Sequence, residues 1–209
     1  MRRRKSANLC CASSRRCHLP DQLLQSRPAV FVDRDGTITE EVGYLNHISR
    51  FRMLTGAAAA IQRLNAANLP VVLITNQSGV GRGYFPESLV HEVHQRLIGE
   101  LAAAGARLDG VYYCPHVSSD DCECRKPQTG MLLQAARDLH LDLKRSFVIG
   151  DRAGDVELAH RAGSKSILVR TGYGEGELAW HAKDWLHQPN SVAADLAEAV
   201  DWILRETKA

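Results

Sequence analysis

The most informative segment of the chain reads Ala29-Val30-Phe31-Val32-Asp33-Arg34-Asp35-Gly36-Thr37. Its apolar half predicts a buried strand, which ends abruptly at two carboxylates that are one residue apart. Because residues i and i+2 of an extended backbone face the same way, we expect Asp33 and Asp35 to enter one site at the carboxyl end of the strand, where open α/β sheets bind ligands. Burying two like charges is costly unless a cation or a reaction requires them, so the pair indicates a nucleophile beside an acid/base, over a metal ion. The alternative is a solvated turn in which Gly36 adopts a positive φ.

Size and charge limit the classes of protein to which the chain could belong. With 209 residues, 44% of them hydrophobic, it can bury one sizeable core. Residues 1–28 hold seven of the 26 Lys and Arg residues but one of the 24 Asp and Glu residues, which leaves a formal charge of −4 for the remainder. A mildly acidic body without a long apolar run is not typical of nucleic-acid-binding or membrane proteins, so we expect neither partner. As a separate expectation, the protein is a monomer that acts on a small phosphorylated sugar.

The amino-terminal stretch differs in composition from the rest of the chain. It is rich in Arg and Ser, poor in acids, and lacks the apolar core of a secretory signal; organelle transit peptides share this composition. We expect residues 1–28 to be a disordered tail, or a stretch that precedes the true start codon, and residues 29–209 to form one domain. The clustering of the cysteines indicates metal ligands in a reducing cytoplasm.

Beyond the first strand, helical and strand patterns alternate. Helices are predicted over 56–68, 86–101, 130–140, 153–162 and 191–205, and strands over 70–74, 108–113, 146–149 and 166–170. Ile98 is expected on the buried stripe of the second helix, and Ser191 as the N-cap of the last. Alternating βα units with short links predict an α/β fold, with a parallel sheet covered by helices on both faces and no room for an inserted lid domain.

Three further segments supply polar groups where predicted strands end or helices begin. Thr75-Asn76-Gln77-Ser78-Gly79 offers donors for phosphate oxygens, although polar residues after a strand are also ordinary loop chemistry. Arg125-Lys126-Pro127 places two cations before a helix, and their alternative reading is a surface charge pair. A second apolar strand that ends in a carboxylate is predicted at Phe147-Val148-Ile149-Gly150-Asp151, and a carboxylate there suits a hard cation such as Mg²⁺. The nearby Asp155 could also be part of the site, or it could simply be an acidic residue that the helix dipole favours in the first turn of a helix.

Four potential zinc ligands lie within eleven residues. Cys114, His116, Cys122 and Cys124 are enough to close a tetrahedral Zn²⁺ site, although their spacing is not that of a zinc finger. A structural zinc would fix the loop that leads into the two cations, whereas the alternative is an accidental grouping of buried thiols. His91 and His94, on a predicted helix, are interpreted as surface or packing residues.

Together these motifs resemble the capless, zinc-loop branch of the haloacid dehalogenase superfamily, and most closely the D-glycero-D-manno-heptose 1,7-bisphosphate 7-phosphatases. The resemblance extends from residue 29 to about residue 205, and it implies a Rossmann-like sheet with a small zinc-binding loop. It implies an enzyme that removes the 7-phosphate through an aspartyl-phosphate intermediate, with Mg²⁺ and Zn²⁺ as cofactors, and that gives heptose 1-phosphate for ADP- or GDP-heptose synthesis. Two residues depart from the usual family pattern: Glu41 stands where Asp is common, and Arg152 where Lys is common.

The same resemblance implies roles for individual residues. Asp33 would be the nucleophile, Asp35 the general acid/base, and Thr75, Arg125 and Lys126 would stabilise the phosphoryl group. Asp33, Asp151 and the backbone carbonyl of Asp35 would bind Mg²⁺, with Asp155 supporting them indirectly. Substrate contacts are implied for Glu41, Val42, Gly43, Tyr44, Thr75, Asn76, Gln77, Ser78, Arg125, Lys126 and Arg152.

Two rival functions remain. A histidinol-phosphate phosphatase shares the nucleophile, the zinc loop and Arg-Lys-Pro, but Ser78-Gly79 followed by Gly81-Arg82-Gly83 favours the heptose enzymes. A zinc-stabilised binding protein that has lost catalysis is the rival from another class, and it is disfavoured because all four catalytic motifs are present. Magnesium-dependent phosphate release would separate an enzyme from a binding protein.

Overall fold

The computed structural model describes residues 26–208. The prediction of a disordered tail therefore lies outside the described residues, except at residues 26–28. There Arg27 forms an isolated parallel bridge with Leu141, so the described part of the chain joins the domain slightly before residue 29.

Six parallel strands form one sheet in the order β3-β2-β1-β4-β5-β6. The strands are β1 (Val30–Val32), β2 (Val71–Asn76), β3 (Gly110–Cys114), β4 (Phe147–Gly150), β5 (Lys165–Val169) and β6 (Ser191–Ala193). This arrangement confirms the predicted α/β fold class. Between residues 26 and 208 no insertion forms a separate cap domain, as the short predicted links required.

Helices connect the strands and cover the sheet. They are α1 (Ala57–Ala66), α2 (Glu87–Ala103), α3 (Gly130–Leu139), α4 (Ala153–Ala162), the single turn α5 (Gly174–Gly176), which continues as a π-helical turn (Glu177–His181), and α6 (Leu196–Glu206). Short 3₁₀ turns occur at Ile48–Arg50, Ser118–Asp120, Leu143–Arg145 and Ala182–Asp184. Among the described residues, no helix combines the length and the apolar character needed to cross a membrane.

Side-chain alternation along the central strand divides the core into two layers. Val30 and Val32 pack with α1, α2 and α6 on one face of the sheet. Phe31 points to the other face, where it packs with α3 and α4. Because both faces of β1 are buried, its sequence is continuously apolar rather than alternating, which is what the sequence indicated.

The register of the central strands brings their carboxyl ends together. Val32 of β1 pairs with Leu73 of β2 on one side and with Ile149 of β4 on the other. The residues that follow these positions therefore meet at one edge of the sheet, as expected for ligand sites in open parallel sheets.

The structure corrects two local predictions. Ser191 does not cap the last helix, because Ser191–Ala193 forms β6 and pairs with β5. Asp195 is the N-cap instead, and its carboxylate accepts the backbone N–H of Glu198 at 3.0 Å. Ile98 is 45% exposed, because Leu97 and its helical neighbours occupy the buried face of α2.

Candidate active site

A cavity of about 480 Å³ lies at the carboxyl edge of the sheet. Side chains from the ends of β1, β2 and β4 line it together with the loop between β3 and α3. The predicted site residues that line it are Asp33, Asp35, Glu41, Gly43, Tyr44, Thr75, Asn76, Gln77, Ser78, Arg125, Lys126, Asp151, Arg152 and Asp155. Val42 does not line the cavity; its carbonyl accepts a hydrogen bond from Arg50 at 2.9 Å.

A buried lysine joins two carboxylates at the base of the cavity. Nζ of Lys126 lies 2.7 Å from Oδ2 of Asp33 and 2.7 Å from Oδ1 of Asp155. Burial alone would lower the pKa of Lys126, but the carboxylates of Asp155 and Asp33 outweigh it and hold the pKa above its ordinary value. The lysine is therefore a permanent cation between the two acids. Asp155 is also held through its other oxygen, because Oδ2 accepts the backbone N–H of Arg152 at 3.2 Å.

The carboxylates outnumber the cation that faces them. Oxygens of Asp33, Asp151 and Asp155 lie within 4.8 Å of one another, and all three residues are buried. Burial raises the pKa of Asp33 to about 7, although the Lys126 ammonium opposes the shift. Burial and the neighbouring carboxylates of Asp33 and Asp155 raise the pKa of Asp151 to about 8. This uncompensated negative charge on hard oxygen donors suits a divalent cation such as Mg²⁺.

Glycine is required where the turn after β1 approaches Asp151. Gly36 has a φ of +78°, the conformation that the alternative reading as a turn assigned to it, and an added Cβ there would collide with Oδ2 of Asp151. The same oxygen accepts the backbone N–H of Tyr173 at 2.8 Å. Asp151 is thus held from two sides, which fixes one of the three carboxylates.

Asp35 is held by donors on both of its oxygens. Gln77 donates to Oδ2 at 2.9 Å, and Arg34 forms a two-pronged pair, from Nε to Oδ1 at 3.0 Å and from Nη2 to Oδ2 at 2.8 Å. The carboxylate lines the same cavity as Asp33, so the two acids share one site rather than a solvated turn.

The end of β2 contributes the hydroxyl group of Thr75 and the side-chain amide of Asn76. Thr75 is buried, and its Oγ1 accepts a hydrogen bond from Gln77 at 2.9 Å, which leaves its own hydrogen for an acceptor in the cavity. Asn76 uses both ends of its amide on the backbone of Lys126, donating to the carbonyl at 3.1 Å and accepting the N–H at 3.0 Å. Asn76 therefore fixes the loop that carries the buried lysine.

Cations and a tyrosine ring surround the mouth of the cavity. The guanidinium of Arg152 lies over the ring of Tyr173, 3.6 Å from its centroid. Arg125 donates to the carbonyl of His116 at 3.1 Å, which ties it to the cysteine-containing loop. Burial raises the pKa of Glu41, which accepts the backbone N–H of Gly43. The lining is suited to an anionic, hydroxylated ligand.

The four predicted zinc ligands come together at the end of β3 and in the loop that follows it. Sγ of Cys122 lies 3.6 Å from Sγ of Cys114 and 3.5 Å from Sγ of Cys124, and Nδ1 of His116 lies 3.6 Å from Cys114 Sγ and 3.3 Å from Cys124 Sγ. Ligands about 2.0–2.3 Å from a tetrahedral zinc are separated by about 3.3–3.8 Å, so the group fits Zn²⁺. The sulfurs are too far apart for a disulfide, whose S–S bond is about 2.05 Å.

Sequence reasoning missed several residues at the site. Arg34 and His94 are both buried and lie 3.3 Å apart, and Tyr173 and Glu177 line the cavity. His94 is buried rather than at the surface, the two positions that the sequence left open, and its contact with a cation was not foreseen. The one available signal for Arg34 was its position between two aspartates directly after a buried strand.

Comparisons with known proteins agree with this geometry. Residues 123–199 match the HAD-hydrolase-like family model. The chain is 46% identical to D-glycero-D-manno-heptose-1,7-bisphosphate 7-phosphatase of Thermosynechococcus vestitus, over 85% of this chain and 95% of that protein. It is 41% identical to D-glycero-beta-D-manno-heptose-1,7-bisphosphate 7-phosphatase of Yersinia pestis, over 85% of this chain and 97% of that protein.

A solved structure supports the same relationship. The D,D-heptose 1,7-bisphosphate phosphatase from B. bronchiseptica, crystallised with magnesium and phosphate, superposes with a TM-score of 0.79 at 34% identity, over 86% of this chain and 99% of that one. The chain therefore belongs to the D-glycero-D-manno-heptose-1,7-bisphosphate 7-phosphatase family of haloacid dehalogenase-like hydrolases.

Proposed function

We propose that this protein is a magnesium-dependent phosphatase that removes the 7-phosphate of D-glycero-D-manno-heptose 1,7-bisphosphate through a phosphoryl intermediate on Asp33. The observation that carries the proposal is the contact of buried Asp33 with Lys126, in a cavity that Asp35 and Asp151 also line. The family of the chain supplies the substrate, since the relatives compared are named for this reaction.

In the first step, an oxygen of Asp33 attacks the phosphorus in line and the bond from phosphorus to the sugar oxygen breaks. Asp35 transfers its proton to the departing oxygen, which leaves as an alcohol. The ammonium of Lys126 and the hydroxyl of Thr75 would offset the charge that spreads over the equatorial phosphoryl oxygens.

In the second step, Asp35 removes a proton from water as the water attacks the aspartyl phosphate. The bond from phosphorus to Asp33 breaks, the carboxylate is regenerated, and inorganic phosphate is released. Asp33, Asp151 and the backbone carbonyl of Asp35 would hold Mg²⁺, which supplies further neutralisation of phosphate charge. Asp155 acts through Lys126, whose position it fixes.

Recognition of the sugar is assigned to the mouth of the cavity. A bisphosphate brings a second dianion, which Arg125 and Arg152 can bind as charge-assisted hydrogen-bond donors. Glu41, Gly43, Tyr44 and Ser78, which line the cavity, would contact the hydroxyl groups of the heptose. Asn76 supports recognition indirectly, because its amide holds the backbone of Lys126.

The product of this reaction would be heptose 1-phosphate. Its remaining phosphate is on the anomeric carbon. A nucleotidyl transfer to that phosphate would give ADP- or GDP-heptose. The proposal includes a structural Zn²⁺ at Cys114, His116, Cys122 and Cys124, and three thiolate ligands favour a reducing compartment such as the cytoplasm.

The first test is phosphate release by the purified protein with Mg²⁺. Heptose 1β,7-bisphosphate, its 1α,7 anomer and histidinol phosphate are compared, with Asp33→Asn as the blank. We expect a strong preference for one heptose bisphosphate, no turnover by Asp33→Asn, and an unchanged circular dichroism spectrum for that variant. Preference for histidinol phosphate would overturn the substrate assignment, and full activity of Asp33→Asn would overturn the mechanism.

A further inference from the structure

A guanidinium is buried beside the acid/base carboxylate. Arg34 is 2% exposed, although arginine is almost never fully buried unless its charge is paired. Its partner is Asp35, which it contacts through both oxygens, at 3.0 and 2.8 Å. A planar, two-pronged pair fixes the angle of a carboxylate as well as its position, which a single hydrogen bond cannot do.

The far side of the guanidinium rests on a histidine. Nη1 of Arg34 lies 3.3 Å from Nε2 of His94, which is 5% exposed on α2. A guanidinium has donors only, so Nε2 must carry the lone pair, and the ring proton belongs on Nδ1. Burial, followed by the cation of Arg34, lowers the pKa of His94 to about 3. The imidazole is therefore a neutral acceptor throughout the pH range of ordinary activity measurements.

The histidine is itself held by secondary structure. Its ring packs at 64° to the ring of Tyr113 on β3, with centroids 5.6 Å apart. The hydroxyl of Tyr113 donates to Glu87 at 2.7 Å, and Glu87 belongs to the same helix as His94. A continuous set of contacts thus runs from α2 and β3 through His94 and Arg34 to the carboxylate of Asp35.

Proton transfer needs such precision because the carboxylate must face the leaving oxygen in one step and water in the next. Small displacements of a catalytic group, on the order of 1 Å, reduce rates by about 100-fold. Gln77 also donates to Asp35, at 2.9 Å, but it reaches only one of the two oxygens. Among the described residues, Arg34 alone donates to both oxygens of the carboxylate.

We propose that Arg34 and His94 are positioning residues for catalysis: His94 orients the guanidinium of Arg34, and Arg34 holds Asp35 at the angle from which it exchanges protons with the leaving oxygen and with water. This inference rests on the proposed function for the role of Asp35, but not for the identity of the sugar. Neither Arg34 nor His94 lines the cavity, and the positioning role explains why a cation and an imidazole are buried behind it.

The test compares four variants in the full-length protein with Mg²⁺. His94→Leu removes the acceptor, and His94→Gln places a carboxamide oxygen near the position of Nε2. Arg34→Lys keeps the charge but loses the two-pronged contact. His91→Leu is the matched control, because His91 lies one turn earlier on α2 and also packs against Tyr113, but is exposed.

Positioning predicts a split between kcat and KM. With heptose 1β,7-bisphosphate, we expect kcat to fall about 10-fold in His94→Leu and about 100-fold in Arg34→Lys, with KM changed less than twofold. His94→Gln should recover most of kcat, and His91→Leu should match the parent protein. Equal losses in His94→Gln and His94→Leu, or in His91→Leu, would overturn the inference in favour of a packing role.

A second substrate separates the two steps and keeps the inference testable if the sugar assignment fails. p-Nitrophenyl phosphate has a leaving group that departs without protonation, so the first step does not need Asp35. In His94→Leu and Arg34→Lys we expect a burst of one p-nitrophenolate per active site, followed by a slowed steady state, because hydrolysis of the intermediate still needs the base. Uniform slowing of both phases would overturn the inference. A parent protein active on this ester but not on heptose bisphosphates would reject the proposed substrate alone.

Discussion

The ammonium of Lys126 lies 2.7 Å from Oδ2 of Asp33, and both side chains are almost completely buried. The pair is two-sided, because Lys126 makes an equal contact with Asp155. Each buried charge in such a group needs its partner, because removing one side chain leaves the opposite charge buried and unpaired.

Lys126→Met should therefore destabilise the protein as well as inactivate it. Without the cation, the buried carboxylates of Asp33 and Asp155 face each other, and we expect the free energy of unfolding to fall by about 3 kcal/mol. Urea denaturation measures this loss. Lys144→Met, at an exposed position, is the control, and its free energy of unfolding should change by less than about 0.5 kcal/mol. A variant as stable as the parent would show that the carboxylates do not depend on the lysine.

Stability without magnesium should decrease as pH rises from 6.5 to 8. The pKa values of Asp33 and Asp151 are raised to about 7 and about 8, whereas the unfolded chain has already released these protons. The folded state therefore binds more protons, and stability is lost as pH rises through the folded pKa values, by up to about 1.4 kcal/mol per pH unit for each proton. The shift of His94 is opposite in sign, and it takes effect only below pH 6.5.

Unfolding in magnesium-free buffer, prepared by dialysis without a chelator so that zinc is retained, measures this slope. Saturating Mg²⁺ should flatten it, because the cation keeps the carboxylates ionised in the folded state. Asp151→Asn should flatten it in part. Identical slopes with and without Mg²⁺ would argue against cation binding at these carboxylates.

Gly36→Ala should weaken magnesium binding more than it weakens the fold. The new methyl group would meet Oδ2 of Asp151, and the positive φ adds strain of about 1 kcal/mol. Gly43→Ala is a close control, because Gly43 has a φ of +75° but open space around its Cα. We expect at least a tenfold higher Mg²⁺ requirement for activity in Gly36→Ala and a much smaller change in Gly43→Ala. Equal magnesium requirements would indicate that the close approach to Asp151 has no functional role.

Removal of zinc should disorder the loop that carries Arg125 and Lys126. Cys122→Ser removes one of four ligands, and we expect loss of the bound zinc, a lower Tm and a large loss of kcat, because the two cations are no longer fixed. Metal analysis by mass spectrometry should find one zinc per chain in the parent protein and in Glu123→Ala, a substitution of an exposed neighbour in the same loop. A parent protein that is active and contains no zinc would refute the prediction.

Strong periodic signals explain why the fold and the carboxylate motifs were predictable. Continuous apolar runs identified the buried strands, and α4 was predicted with its observed bounds. The edge strand β6 gave no such signal, because the sequence of three residues with one exposed Val does not distinguish a short strand from the start of a helix. Ser191 is in a strand because this segment pairs with β5. Tertiary packing likewise decided that Ile98 is exposed.

In the active site, too, local sequence patterns were predictable and long-range contacts were not. Motifs placed Asp33, Asp35 and Asp151 at one edge, since each follows or ends a recognisable strand. The contact of Arg34 with His94 joins residues 60 positions apart, and no local pattern in the sequence encodes it. The amide of Asn76 was expected at the substrate, but its direction depends on the loop of Lys126, which is 50 positions away.

The order of the strands has a consequence for biosynthesis. Of the strands within residues 26–208, the central strand β1 is translated first, but its partner β4 begins only at Phe147, and Asp155 follows on α4. A nascent chain on the ribosome can therefore bring Asp33 and Lys126 out of the exit tunnel well before the acids that complete their environment. The site is therefore completed late in synthesis, because Asp155, the second partner of Lys126, lies on α4.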